Sequence, residues 1–527
     1  MIRQEPREQY FFIYQKTKLM QTLSRHTLAS IESPVSLQLP NEAIFNLPEK
    51  VLQFGTGVLL RGLCDHFIDQ ANKQGVFNGR IVIVKSTDKG DTSAFEQQDN
   101  LYTVCVQGIE NGHTVEEYIV NASVSRTLSA KSQWQAILAC ARSTDMQVVI
   151  SNTTEVGIQY VEESITEGVP ASFPAKLMAF LWERFNHFEG SPESGMVIVP
   201  TELIVDNGTK LYEICMRLAA FNQLSEAFVT WLQTANYFCN SLVDRIVPGK
   251  PDTETLDGLY QKLGYQDNLL AVAEVYRLWA IQGNEAVRNI LSFSQVDEGV
   301  VIKPDIEIYR ELKLRLLNGT HSLTCGLAYL CGSNLVRENM NDANLSAFAE
   351  QLMLNELAAA IPYPVAPEIA EEFGQNVLNR FRNPFLKHKL LDITLHYSSK
   401  MKARNIPLLL TYHERFRQTP ALLALGFAAY LLFMKPVKEE NGKYYGQRGE
   451  EFYLIQDDQA AYYYTLWQNE NLAALVKQVL QNQSLWGADL TQVTGFEEKV
   501  GDFLHELVEK GALATLNLLL SQEKEVA

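Results

Sequence analysis

Apolar positions follow two rhythms along this chain, one of strands and one of helices. From Val51 onward, short apolar runs alternate with longer stretches of helical spacing. VLQF (51–54) is the first run. Leu59, Leu60, Leu63, Cys64, Phe67, Ile68 and Ala71 then recur three and four residues apart, which puts them on one face of a helix, and Gly75 suits its C-cap. RIVIVKS (80–86), MQVVIS (146–151) and GMVIVP (195–200) read as further buried strands, with helical segments between them. Short apolar strands alternating with helices predict an α/β domain with a parallel, doubly wound sheet.

Beyond about residue 295 the strands thin out. Helical spacing predicts helices at 306–332, 345–360, 366–381, 421–434, 460–481 and 496–520. The run ALLALGFAAYLLFM (421–434) lies between Pro420 and Pro436 and is too short to span a bilayer, so it reads as a buried core helix. Lys435 to Glu451 is polar and reads as an exposed loop. Residues 1–45 lack clear periodicity, and Met20 offers a second plausible start, so residues 1–19 read as a tail or a misassigned start. The expected organisation is an N-terminal extension (1–45), a dinucleotide-binding domain (46–295) and a mostly helical C-terminal domain (296–527).

A net charge of −17 disfavours non-specific nucleic-acid binding, which needs clustered cations. Seven cysteines without a CxxC pair, mostly in apolar surroundings, read as reduced buried thiols and not as a zinc site. With no signal peptide or membrane anchor visible, the expectation is a cytoplasmic protein, monomeric or a small homo-oligomer, acting on a small molecule.

Two segments carry candidate chemistry. The strand VLQF runs through Phe54 into Gly55-Thr56-Gly57-Val58-Leu59-Leu60-Arg61. Two glycines in a strand-to-helix turn let the backbone approach a pyrophosphate at a helix N-terminus, as in a Rossmann-like domain. The third glycine of that fingerprint is missing, since Leu60 holds its place, and a plain tight turn would look similar. Arg61 is positioned either to reach a phosphate or to lie in solvent. Asp88, after the second strand, is the candidate ribose ligand, with Lys85 nearby leaving room for a 2′-phosphate. Asn152-Thr153-Thr154-Glu155 follows a strand's carboxyl end, where this fold class binds ligands, so Thr153 and Glu155 join the cofactor candidates.

The second segment is Lys313-Leu-Arg-Leu-Leu-Asn318-Gly319-Thr-His321. At about 100° per residue Asn318 lies about 140° and His321 about 80° round from Lys313, so all three share one broad side. Leu312, Leu316 and Leu323 face the other way. Gly319 inside a helix points to close approach by a substrate or another backbone. A metal-free alcohol dehydrogenase needs a proton shuttle, which a lysine supplies when its surroundings bring its pKa toward neutrality. An amide can steady the developing alkoxide and a histidine can hold a hydroxyl. A solvated lysine, a capping asparagine and a satisfied histidine fit the same spacing.

KLRLLNGTH, NSLVDRIVP (240–248) and QFGTGVLLR (53–61), in their order and separation, resemble the long-chain mannitol dehydrogenase family. The resemblance implies a metal-independent enzyme using NAD(H). It implies that Lys313 is the general acid/base, that Asn318 polarises the reacting oxygen, that His321 contacts substrate and that Asp244 lies at the active site. One departure stands out: the family's mannitol branch has a second oxyanion asparagine where this chain has Leu203, which leaves Asn318 alone or helped by a group such as Asn207. TELIVDNG (201–208), VIVKSTDKGDT (82–92) and KARNIP (402–407) resemble the tagaturonate reductase branch, which implies a sugar-acid substrate. Between Arg380 and Arg404 seven cations accompany one acid, Asp392. Lys400, which matches a family substrate-site lysine, and Arg404 are the candidates for the substrate carboxylate.

Overall fold

The computed structural model describes residues 20–33, 35–87, 92–153, 157–468 and 471–526. Its centre is a six-stranded sheet, parallel throughout, in the order Val124–Ser129, Arg80–Lys85, Glu49–Phe54, Val148–Ser151, Val197–Pro200, Tyr237–Phe238. Successive side chains on a strand point to opposite faces. Val51, Ile81, Ile83, Val148 and Ile150 therefore enter one core with the helix Cys64–Lys73, while Leu52, Phe54, Val82, Val84 and Val149 enter another with the helix Phe173–His187. Burial on both faces is why these strands are continuously apolar. The expected doubly wound α/β sheet followed by a mostly helical region is present.

Against this lies a mixed sheet in the order Leu37–Gln38, His113–Asn121, Tyr102–Glu110, Ala271–Glu274. Its hairpin turns at Asn111-Gly112, both with positive φ (51° and 77°), which is what a two-residue hairpin turn of matching twist requires. Residues 20–46, without visible periodicity, add short pieces to this sheet. Leu23, Leu28 and Ile44 pack with Tyr118, Val120 and Leu263.

In the C-terminal region the helices Thr320–Leu330 and Ala421–Phe433 cross in the core. Eleven residues of Ala421–Phe433 are buried, so this helix is surrounded on all sides, as its composition predicts. Gly426 lets it close on its neighbour, because a Cβ there would lie 2.8 Å from the Leu323 carbonyl oxygen. Its first turn lacks a capping side chain of its own. The Glu356 carboxylate accepts the Leu422 and Leu423 N–H groups instead, at 2.9 and 2.8 Å.

Three expectations need correction. The polar stretch Lys435–Glu451 folds into antiparallel strands, Lys438–Glu440 and Lys443–Arg448, joined to Glu451–Leu454. Its strands are mostly solvent-facing and lack apolar alternation, and the available signal was Asn441-Gly442, a second hairpin turn with φ of 54° and 74°. The segments 460–481 and 496–520 each divide in two, the latter at Gly511. Between Phe381 and Ala421 three further helices appear, of which Tyr397–Arg404 and Ile406–Phe416 press on the Lys313 segment. Among the described residues no helix is long and apolar enough to cross a membrane.

Candidate active site

The glycine turn sits at the carboxyl end of Glu49–Phe54. Gly55 has φ +133°, and a Cβ there would lie 2.8 Å from the Asn152 carbonyl oxygen, so only glycine passes. Among the described residues a Cβ on Gly57 would meet nothing within 4 Å, and no side chain of theirs caps the adjoining helix Val58–Gly62. The turn thus leaves open space before a helix start whose N–H groups are free of side-chain caps, and its residues fit a pyrophosphate. Beside it the buried Glu202 carboxylate ties two strand ends together. It accepts the Thr153 N–H and hydroxyl, both at 2.9 Å, and the Ser151 hydroxyl at 3.1 Å.

Other residues assigned to the cofactor from sequence fall differently. Phe54 is fully buried and packs on Phe173. Leu60 is buried under Gly55. Thr56, Val58 and Leu59 are half-buried at the turn. Arg61 turns inward, against the expectation of a phosphate or solvent. Its guanidinium donates to the Leu269 carbonyl and lies 5.6 Å from the Tyr102 ring centroid. Burial lowers its pKa, with Tyr102, Asp267 and Asp65 opposing. Asp88 and Glu155 lie outside the described residues.

Lys313 opens a π-helix, Lys313–Gly319, set between the α-helices Glu307–Leu312 and Thr320–Leu330. This changes the angular reading. In a π-helix the hydrogen bonds join i to i+5, so residues five apart stack one turn above the other. Asn318 is five residues from Lys313 and therefore lies about one turn on, much nearer its face than about 140°. Leu312, Leu316 and Leu323 are buried in the helical core as expected. Gly319 does mark a close approach, and the visitor is a side chain. Asn405 donates to the Gly319 carbonyl at 3.0 Å, and a Cβ on Gly319 would sit 3.3 Å from that amide. Arg404 donates to the Asn318 carbonyl at 3.3 Å and the Ser322 hydroxyl at 2.9 Å.

The Lys313 ammonium donates to the Val243 carbonyl at 2.8 Å and lies 3.7 Å from the Asp244 carboxylate. Asp244 is itself held by Arg380 through two bonds of 2.9 Å. Burial alone would raise the Asp244 carboxyl, but Arg380 and then Lys313 outweigh it and hold it below the usual carboxylate range. Asp244 is thus a counter-ion that faces the lysine. His321 stacks on Phe381, with 4.2 Å between centroids, and meets His388 edge-on at 5.2 Å. Burial, then the charges of His388, Arg404 and Arg380, push its pKa well below the ordinary value, so the ring is neutral near pH 7. His321, His388 and Arg380 line one small enclosed cavity with Leu317. Val243 lines a neighbouring one of about 150 Å³, with Leu203 and Arg310 on its wall.

Asn207, a candidate helper for the missing oxyanion asparagine, is spent on structure. Its amide donates to the Pro200, Glu202 and Ser241 carbonyls and accepts from the Gly208 and Ser241 N–H groups. The side-chain amide of Asn318 has no hydrogen bond among the described residues and is half-buried, free for a ligand. Of the cations, Arg382 and Lys387 pair with Glu350 and Asp252. Lys400 donates to the Ile393 carbonyl, while Arg404 braces the helix that carries Asn318 and Ser322. Sequence reasoning missed Glu274, which holds Arg380 by the Nε–Nη2 edge of its guanidinium, next to the edge that Asp244 takes, at 2.8 and 3.0 Å. A lone acid in the apolar run LLAVAEVY was the available signal, since a buried charge needs a partner.

The mannitol dehydrogenase Rossmann domain family matches residues 49–294, and the mannitol dehydrogenase C-terminal domain family matches 305–508. The chain belongs to the mannitol dehydrogenase family. It is an oxidoreductase, and several curated relatives in this family share one name. Altronate oxidoreductase of Halalkalibacterium halodurans is 40% identical over 90% of this chain and 94% of its own length. That of Bacillus subtilis is 36% identical over 91% and 97%. Among solved structures, Pseudomonas fluorescens mannitol 2-dehydrogenase, in ternary complex with NAD and D-mannitol, aligns over 95% of this chain and all of its own, with TM-score 0.66 and 22% identity. A D-sorbitol dehydrogenase in substrate-free form aligns over 94% and 100%, with TM-score 0.74 and 19% identity. At those identities the likeness is one of fold.

Proposed function

We propose that this member of the family interconverts D-tagaturonate and D-altronate with NADH and NAD, with Lys313 as general acid/base and no metal. The single observation that carries the chemistry is Lys313 beside Asp244 with Asn318 one turn away on the same face. The relatives' name, altronate oxidoreductase, supports the substrate. The Gly55–Gly57 turn and the strand end at Thr153 would hold the dinucleotide, which when bound supplies or takes up the hydride. In reduction the Lys313 ammonium gives its proton to the carbonyl oxygen, while the Asn318 amide donates to that oxygen as charge develops. In oxidation neutral Lys313 takes the proton back. Neutral His321 fixes a neighbouring hydroxyl. Lys400 and Arg404, which have backbone and hydroxyl partners but no acid among the described residues, favour a carboxylate nearby.

Oxidation of NADH with tagaturonate, fructuronate and fructose side by side, repeated with NADPH and with EDTA, tests this. Tagaturonate with NADH is expected to give the highest kcat/KM, unaffected by EDTA. Preference for fructuronate or fructose would move the chain to another activity of the same family. Preference for NADPH would overturn the role given to Asp88, and loss to EDTA restored by zinc would overturn the lysine mechanism.

A further inference from the structure

Three elements meet behind Lys313. Asp244 ends the strand Ser241–Asp244, Glu274 ends the strand Ala271–Glu274, and Arg380 lies in the last turn of the helix Pro367–Phe381. Glu274 and Asp244 both grip the Arg380 guanidinium, while the Tyr276 ring lies beneath it at 4.3 Å. Glu274 Oε1 also accepts the Ile246 N–H at 2.6 Å. The Glu274 side chain is 1% exposed and Arg380 4%, so neither charge is screened by water. Lys313, Asp244, Arg380 and Glu274 thus form a row of alternating sign with no net charge.

We propose that Glu274 is a positioning residue: by holding Arg380 it keeps Asp244 set against Lys313. This rests on Lys313 being the acid/base of the proposed reaction. Glu274 stands two links away from the lysine and does not act on substrate.

Buried charges persist only when paired, and removing one partner leaves the rest uncompensated. Without the Glu274 charge, Arg380 answers to Asp244 alone, and the row facing Lys313 gains a positive charge. Burial pushes the Glu274 carboxyl up, against the pull of Arg380, while Asp244 adds to the push. The other charged neighbours stay in place in such a variant. Arg245 donates to the Glu274 carbonyl and senses Arg277, then the Glu274 charge itself, then Asp297 and Glu117, so it too loses a compensating charge in Glu274→Gln. Tyr276 and Tyr309 lie close by, and His321 and His388 sense Arg380 from the cavity side. On the lysine's own helix Arg315 pairs with Glu311, and Arg310 with Glu307 and Asp206.

The test is kcat, substrate KM and cofactor KM for the full-length protein as wild type, Glu274→Gln and Glu274→Asp, with thermal unfolding measured alongside. Glu274→Gln, which no longer grips Arg380 with a charge, is expected to lower kcat several-fold with cofactor KM unchanged. Glu274→Asp, which keeps the charge at a shorter reach, is expected to recover part of that loss. A folded Glu274→Gln with wild-type kcat overturns the proposal, as does an equal loss of kcat in Glu274→Asp. Should Glu274→Gln fail to fold, Glu274→Asp decides: its shorter reach loosens Arg380, so kcat should fall at constant cofactor KM, and an unchanged kcat overturns the proposal. Normal turnover in Lys313→Ala overturns the reading of the lysine itself, and the proposal with it.

Discussion

At the Gly55 turn the site is made of backbone; at Lys313 it is made of charges. The turn depends on one dihedral angle, one carbonyl of a neighbouring strand and an empty space at Gly57. The lysine depends on Asp244, Arg380 and Glu274, drawn from three separate elements and buried together. A backbone site tolerates changes in the side chains around it and fails when a glycine gains a Cβ. A charge site tolerates changes of shape and fails when a sign is removed. Binding of the dinucleotide and transfer of the proton should therefore be separable by mutation.

The largest expected break is Lys313→Ala. General acid–base groups contribute roughly 10²- to 10⁴-fold, so kcat should fall within that range while NADH affinity, measured by fluorescence titration, stays near wild type. Equal loss of both would erase the distinction between the two regions. Gly55→Ala should do the reverse. The strained φ and the 2.8 Å approach to Asn152 cost about 1–3 kcal/mol. NADH should then bind roughly 10- to 100-fold more weakly, with the pH profile of turnover unmoved. A shifted profile would mean that the turn and the lysine are coupled.

The smallest effect sharpens the comparison through two histidines, one in each region. His66 lies on the helix after the glycine turn and His321 on the lysine's helix, and burial first, then nearby cations, holds both well below the ordinary histidine pKa. Each stays neutral when folded and charges when unfolded. Above about pH 6.5 neither state takes a proton, and the contribution to stability is full. As pH falls below that toward the folded value, the unfolded chain takes protons and stability is lost, by up to ~1.4 kcal/mol per unit for each histidine. Urea unfolding between pH 5 and 7 should give a shallower dependence for His66→Gln than for wild type. An identical slope would show that His66 carries no such linkage.

The turn can be read from sequence because its strand, glycines and helix are local, while the Asn152 carbonyl that presses on Gly55 is not. Strand, glycines and helix succeed one another within QFGTGVLLR. The lysine, asparagine and histidine are visible as a motif, but their partners are not. Arg380 is one of seven cations and Glu274 part of a strand, since nothing in sequence pairs residues 106 positions apart. Arg61 escapes a sequence reading for a related reason. Its place at the helix start says nothing of Tyr102 and Leu269, which take it inward. The angle between Lys313 and Asn318 escapes it because spacing assumes a regular α-helix.

That irregular segment also acts as a phase adjuster. A helix that runs unbroken from one anchored end to the other has a single rotational setting. Glu307–Leu312 and Thr320–Leu330 must each turn their apolar side to the core, and the intervening wide turn lets each take its own setting while Lys313 and Asn318 remain in line. Deleting one residue among 314–317 would let the hydrogen bonds return to the i to i+4 pattern while the helices on either side keep nearly their present settings. The wide turn is thus one extra residue absorbed within a single turn, and the apolar sides of both flanking helices stay on the core across it.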